Sequence, residues 1–197
     1  MRDIIVIVVT AVLSDNIVLS QALGVCPMLG TGDKPGRALR MGALTAVCMV
    51  AASALSWPVT TLVLIPMGLE YTRTLVFVLA ASSAVQLAET VMRHSFEKSA
   101  ASLGAYLPLT AANCAILEVC SQSASAQFSF AQCVASAAAG GAGFTLALLL
   151  FAGIKEKIAS ADIPASFRGI AIDLIAAAIL SLSFMGFSGI AAGIFGS

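Results

Sequence analysis

The chain has 197 residues, of which 59% are hydrophobic and only 10% are charged, and its mean hydropathy is +1.01. A soluble domain has about a quarter charged residues, and it could not hide this much apolar surface from water. The composition therefore indicates an integral membrane protein. Ten basic residues balance ten acidic ones, which argues against a nucleic-acid partner because such partners need a basic surface.

Six apolar segments are long enough for membrane-spanning helices, which need about 20 mainly apolar residues. In chain order they cover residues 4–24, 39–66, 72–92, 100–120, 127–153 and 169–195. No small-x-small cleavage site follows the first segment, so we interpret it as a retained span and not as a signal peptide. We expect an all-α fold with six transmembrane helices in a single membrane domain, residues 1–197. Trp57-Pro58 predicts a kink or a tilt in the second helix.

The basic residues of the connecting loops are distributed unequally between the two sides of the membrane. With six spans, one side carries Arg2 and Arg73. The other side carries Lys34, Arg37, Arg40, Arg93, Lys98, Lys155, Lys157 and Arg168. Because basic loops stay in the cytoplasm, this pattern predicts that both termini lie on the non-cytoplasmic side.

Helix-breaking and polar residues interrupt the first and the fourth segment. In the first they are Asp15, Asn16, Gly24, Cys26, Pro27 and Gly30, and in the fourth they are Pro108, Asn113, Cys114 and Glu118. Each of these segments opens a half of three spans, and halves with an odd number of spans face opposite ways. The pattern predicts two inverted repeats, approximately 1–95 and 96–197, whose first and fourth helices are broken near the membrane midplane.

The five cysteines are odd in number and lie in or beside apolar segments, which argues against a disulfide scaffold. Packing is the default role of Cys48, Cys120 and Cys133. Cys26 and Cys114 stand apart because they occupy the paired, interrupted segments. Thiolates suit iron–sulfur clusters, zinc or copper, and such sites usually need four ligands. Two alternatives stay open from the residues alone: half of a site shared with another subunit, or ordinary packing.

Five stretches in collinear order resemble the RnfA/NqrE family, and specifically RnfA of the Rnf complex. They are residues 23–30, 66–77, 107–117, 159–169 and 183–189. The Cys26-Pro27 pair favours RnfA over NqrE. The sequence departs from the family at Asp15, where Asn is usual, at Met28 and the following residues 31–34, and at Glu118, where Gly is usual.

The resemblance implies a subunit of a multisubunit translocase in the prokaryotic cytoplasmic (inner) membrane. Such complexes couple electron transfer between ferredoxin and NAD to Na⁺ or H⁺ translocation. It further implies that this chain and a homologous, RnfE-like subunit together hold an intramembrane [2Fe-2S] cluster, with Cys26 and Cys114 as this chain's two ligands. Subunits like RnfB, RnfC, RnfD and RnfG would carry the flavins and the other clusters.

We expect no complete active site in this chain alone, since it has no dinucleotide fingerprint that we recognise. Asp15, Asn16, Asn113 and Glu118 are candidates for the cluster environment or for ion coupling, because intramembrane ionisable residues are commonly functional. The alternatives are a stand-alone secondary transporter with an inverted repeat and a structural subunit that scaffolds its neighbours. In both, Cys26 and Cys114 would be replaceable.

Overall fold

The computed structural model describes residues 23–30, 35–64, 72–95, 113–162, 164 and 167–195. These ranges are helical and contain no β-strand, so the predicted all-α class is confirmed for them. The helices are α1 (Val25–Gly30), α2 (Pro35–Val59), α3 (Arg73–Ser95), α4 (Cys114–Ser125), α5 (Phe130–Ala159) and α6 (Ile170–Phe195). Residues 4–22 of the first predicted span and 100–112 of the fourth lie outside the described residues.

Two of the helices are long and apolar enough to cross a membrane. One is α2 together with the π-helical turn Thr60–Leu64 that follows it, and the other is α5; each has 30 residues. At 1.5 Å per residue each is about 45 Å long, which exceeds the ~30 Å thickness of the hydrocarbon core. Shorter apolar stretches lie in α3 (73–87) and α6 (170–186). By contrast, α1 and α4 have 6 and 12 residues, too few to cross alone.

Glycines allow α2 and α5 to pack closely. A Cβ on Gly141 would lie 2.6 Å from Cβ of Ala46, and one on Gly42 would lie 2.7 Å from a methyl carbon of Thr145. Gly141 belongs to the run of small residues 137–143, where the sequence predicts tight helix packing. The two helices form the centre of the bundle, and α3 and α4 complete its buried core.

The end of α2 departs from regular α-helix where the sequence predicts a kink or a tilt. Pro58 is the penultimate residue of α2, and it lacks the N–H that an α-helix needs at that position. The chain continues as the π-helical turn Thr60–Leu64. Trp57 packs here: its indole N–H donates to the carbonyl of Phe128 at 3.0 Å, and its ring meets Phe130 edge-on at 5.4 Å. Trp57 thereby joins α2 to the turn between α4 and α5.

The sixth helix packs on the periphery of the bundle. Of its described side chains, large apolar ones such as Ile170, Ile179 and Leu182 are 60–69% exposed, as expected for a face that meets lipid or a neighbouring protein. An ion pair ties α6 to α5, because Lys155 Nζ lies 2.9 Å from Asp173 Oδ2. The sequence places Lys155 in a loop over 154–168. The structure corrects this, since α5 continues to Ala159 and Lys155 is buried in it.

Candidate functional site

Cys26 and Cys114 differ from the other cysteines in position and in exposure. Cys26 is the second residue of α1, and Cys114 is the first residue of α4. Both thiols are exposed, whereas Cys48, Cys120 and Cys133 are buried. Burial of those three agrees with the packing role expected for them. The thiols that the sequence singles out are therefore the two that a ligand or a partner can reach.

The structure brings the surroundings of the two exposed cysteines together through Gly24. Gly24 has φ +80°, a conformation that suits glycine. A Cβ at this position would lie 3.0 Å from Oδ1 of Asn113 and 3.3 Å from Cβ of Ala115. Asn113 and Ala115 flank Cys114, and Gly24 precedes Cys26 by two residues. The residues around the first thiol thus contact those around the second, although the two cysteines belong to opposite halves of the chain.

Asn113 is the N-cap of α4 and fixes the position of Cys114. Its Oδ1 accepts from the backbone N–H of Ala115 at 3.1 Å, and its carbonyl accepts from the N–H of Ile116 at 3.1 Å. Only 2% of the residue is exposed. Among the described residues its Nδ2 has no hydrogen-bond partner. A buried donor left unpaired is costly, so Asn113 Nδ2 is suited to donate to an acceptor on a ligand or a partner.

The remaining candidates divide between described and undescribed positions. Glu118 lies on α4 one turn after Cys114 and is partly exposed. Residues four apart lie on the same side of a helix, so the Glu118 carboxylate and the Cys114 thiol share one side of α4. Asp15 and Asn16 lie outside the described residues.

The arrangement can supply two soft sulfur ligands and polar groups that favour negative charge near them. The first backbone N–H groups of a helix lack intrahelical partners and stabilise anionic ligands, and Cys114 stands at the start of α4. Among the described residues, no three His, Cys, Asp or Glu side chains come close enough together to hold a metal ion. The chain therefore contributes a pair of thiols to whatever binds here.

Sequence reasoning missed a second polar region, between α2, α4 and α5. Ser53 links two of the buried cysteines: its Oγ lies 3.9 Å from Sγ of Cys120, and its carbonyl accepts from the Cys133 thiol at 3.8 Å. Ser56 and Thr60 continue the same side of α2. The spacing of these three residues within an apolar span is the signal that could have revealed the region.

Comparison with known proteins places the chain in a family. The family model described as "Rnf-Nqr subunit, membrane protein" matches residues 4–191. The chain is 42% identical over 193 residues to the RnfA protein of the ion-translocating oxidoreductase complex of Syntrophotalea carbinolica, covering 98% of this chain and all of that protein. It is 40% identical over 190 residues to proteins of the same name from Edwardsiella ictaluri and Serratia proteamaculans, covering 96% of this chain and 98% of each of them. The chain therefore belongs to the Rnf-Nqr family of membrane subunits.

Proposed function

We propose that this chain, a membrane subunit of an ion-translocating oxidoreductase complex, holds half of an intramembrane [2Fe-2S] cluster through Cys26 and Cys114. The homologous, RnfE-like partner would provide the other two ligands. The complex would couple electron transfer between ferredoxin and NAD to the translocation of Na⁺ or H⁺. The shared name of the relatives, each matched over nearly its full length, supports the assignment to such a complex.

The observation that carries the cluster proposal is the contact of Gly24 with Asn113 and Ala115. It unites the surroundings of two exposed thiols, while the three cysteines with a packing role are buried. When bound, the cluster would supply a one-electron carrier within the bilayer. Two thiolates from each of two subunits satisfy its requirement for four ligands.

The residues around the thiols would tune this site. Asn113 holds Cys114 at the start of α4 and offers its buried Nδ2 as a donor to sulfur. Donors of this kind favour the reduced, more negative state. The Glu118 carboxylate, one turn away, would disfavour that state unless it binds a proton or a cation. Such binding is how we propose that electron transfer and ion movement become linked, with Asp15 and Asn16 as further candidates.

We extend the proposal to the architecture around the site. The short helices α1 and α4 begin at or next to the two cysteines, and we propose that they are the second halves of broken helices in two inverted repeats, 1–95 and 96–197. The complex would lie in the cytoplasmic (inner) membrane with both termini of this chain outside the cytoplasm. Its other subunits would be like RnfB, RnfC, RnfD and RnfG.

Iron content and low-temperature EPR of the purified complex test the ligand assignment. Cys26→Ala and Cys114→Ala should each abolish one [2Fe-2S] signal while all subunits remain assembled. Cys48→Ala is the matched control, because Cys48 is fully buried in α2, and it should leave the signals unchanged. An unaltered cluster inventory in the first two variants would contradict the assignment and would favour a stand-alone transporter or a scaffold.

A further inference from the structure

A cavity of about 570 Å³ lies at the end of the bundle where α2 and α4 end and α3 and α5 begin. It is distant in sequence from Cys26 and Cys114, and it has its own set of polar side chains. Its lining includes the hydroxyls of Ser56, Thr60, Thr61 and Ser123 and the thiols of Cys120 and Cys133. A cavity with this lining can hold water and a polar ligand.

A row of polar side chains leads from this cavity into the bundle. Ser53, Ser56 and Thr60 are 0%, 3% and 7% exposed, and their spacing of three and four places them on one side of α2. Cys120 of α4 and Cys133 of α5 contact Ser53. The polar surface of the cavity therefore continues about 10 Å along α2, from Thr60 to Ser53, at 1.5 Å per residue.

The hydroxyls present oxygen lone pairs to the cavity. Ser56 donates its only hydroxyl proton to the carbonyl of Ser53 at 3.2 Å, and Thr60 donates to the carbonyl of Ser56 at 2.8 Å. A hydroxyl that has used its proton in this way can only accept from, or coordinate, a further group. On the opposite wall Ser123 is 5% exposed, and among the described residues its Oγ has no hydrogen-bond partner. This buried, unpartnered oxygen indicates a ligand or water in the cavity.

The charges at the cavity select the class of ligand. No carboxylate lies among the described residues that line it, and divalent hard cations generally require carboxylates. The guanidinium of Arg73 donates to Ala124 O at 3.3 Å and Ser125 Oγ at 3.5 Å. It thus faces the negative end of the α4 dipole, which offsets its charge. Neutral hydroxyl oxygens then remain as the available ligands, and these suit a partly hydrated monovalent cation.

We propose that this cavity is a water-filled vestibule through which the translocated monovalent cation enters or leaves the protein. Ser56, Thr60 and Ser123 would replace part of its hydration shell. The inference rests on the proposed function for the ion-translocating activity, but it concerns a different region from the cluster site.

The buried native cysteines allow a direct test. The intact complex, in sealed vesicles of either orientation, would be treated with membrane-impermeant methanethiosulfonates, one bearing trimethylammonium and one bearing sulfonate, and the modified residues identified by mass spectrometry. We expect Cys120 and Cys133 to react with the cationic reagent about tenfold faster than Cys48, because reactivity follows access and Cys48 lies off the cavity. The reaction should occur from one side of the membrane only.

Replacing N-methyl-D-glucamine with Na⁺ at equal ionic strength should slow this reaction. If Na⁺ has no effect but low pH slows it, the cation is a proton. Reaction no faster than that of Cys48, or faster reaction with the sulfonate reagent, would overturn the proposal. In the first case no aqueous route reaches the thiols, and in the second Arg73 makes the cavity an anion site.

Transport by proteoliposomes containing the complex separates this inference from the cluster proposal. Thr60→Val and Ser123→Ala should reduce cation uptake about fivefold, the effect of losing one polar interaction, without reducing electron transfer. Thr45→Val is the matched control, since Thr45 is buried on the same helix and donates to the carbonyl of Met41 at 2.9 Å. Normal uptake in both variants would refute the vestibule and leave the cluster proposal intact. No uptake by the unaltered complex would refute the vestibule together with ion coupling.

Discussion

Lys155 of α5 and Asp173 of α6 form an ion pair of 2.9 Å, with side chains only 10% and 14% exposed. The Lys155 ammonium also lies 5.8 Å from the centre of the Phe151 ring. In the part of α6 whose side chains are described, Ala176 is the buried apolar residue of the core, and many larger ones face outward. The ion pair is therefore a principal attachment of α6 to the bundle.

We predict that Asp173→Asn destabilises the protein by about 3 kcal/mol, because removing one partner of a buried pair leaves the other charge uncompensated. The double variant Lys155→Met/Asp173→Leu should recover most of this loss, since an apolar pair replaces the ionic one. Thermal unfolding of the purified complex measures both. Glu156→Gln, an exposed neighbour on α5, is the control. Equal losses in the single and double variants would show that the ion pair is not what holds α6.

The contact of Gly24 with Asn113 predicts a specific effect of Gly24→Ala on the cluster. Alanine at φ +80° costs about 1–2 kcal/mol, and its Cβ would also displace Asn113. Gly169→Ala is the control, because Gly169 has φ +93° but no atom within 4 Å of an added Cβ. EPR spin quantification per assembled complex should show a reduced [2Fe-2S] signal for Gly24→Ala only. An equal reduction in both variants would point to backbone strain alone.

The close approach of α2 and α5 predicts that Gly141→Ala destabilises the bundle by about 1–3 kcal/mol, the usual effect of overpacking. The reason is that its Cβ would lie 2.8 Å from the backbone Cα of Ala46. Gly153→Ala on the same helix meets no atom within 4 Å, and it should be neutral or stabilising by up to about 1 kcal/mol. Melting temperatures of the two variants compare them directly. Similar temperatures would contradict the predicted α2–α5 contact.

Substitution of Asn113 should separate its two roles. Asn113→Ser keeps an N-cap and loses the Nδ2 donor, so we expect a modest fall in the reduction potential of the cluster. Asn113→Asp also keeps the cap but adds a buried negative charge, and the potential should fall further. Asn113→Ala should instead destabilise α4 by about 0.5–2 kcal/mol. Redox titration followed by EPR measures the order, and a higher potential in Asn113→Asp than in Asn113→Ser would contradict it.

Hydropathy predicts helices better than it predicts where they begin and end. The predicted spans 72–92 and 169–195 agree closely with α3 and α6. In contrast, α4 begins at Cys114 and continues to Ser125, because Asn113 caps it and its polar last turn is hydrogen-bonded to Arg73. Capping and side-chain contacts of this kind do not alter the apolar content of a window.

Contacts between distant residues explain what the sequence could not show about the site. The position of each thiol on an interrupted segment is visible in the sequence, and so is the spacing of Ser53, Ser56 and Thr60. That Gly24 lies against Asn113, or that Ser53 contacts both Cys120 and Cys133, depends on how α2, α4 and α5 pack. Spacing alone specifies one side of a helix and not its neighbour.

The contact between Gly24 and Asn113 also imposes an order on biosynthesis. Cys26 leaves the ribosome well before Cys114, and a nascent chain that ends before α4 can offer an incoming cluster only one of its two ligands. The contact is complete only after α5 has been made, because Phe144 of that helix lies against the same glycine. Cofactor loading must therefore wait until most of the chain has been translated and inserted into the membrane.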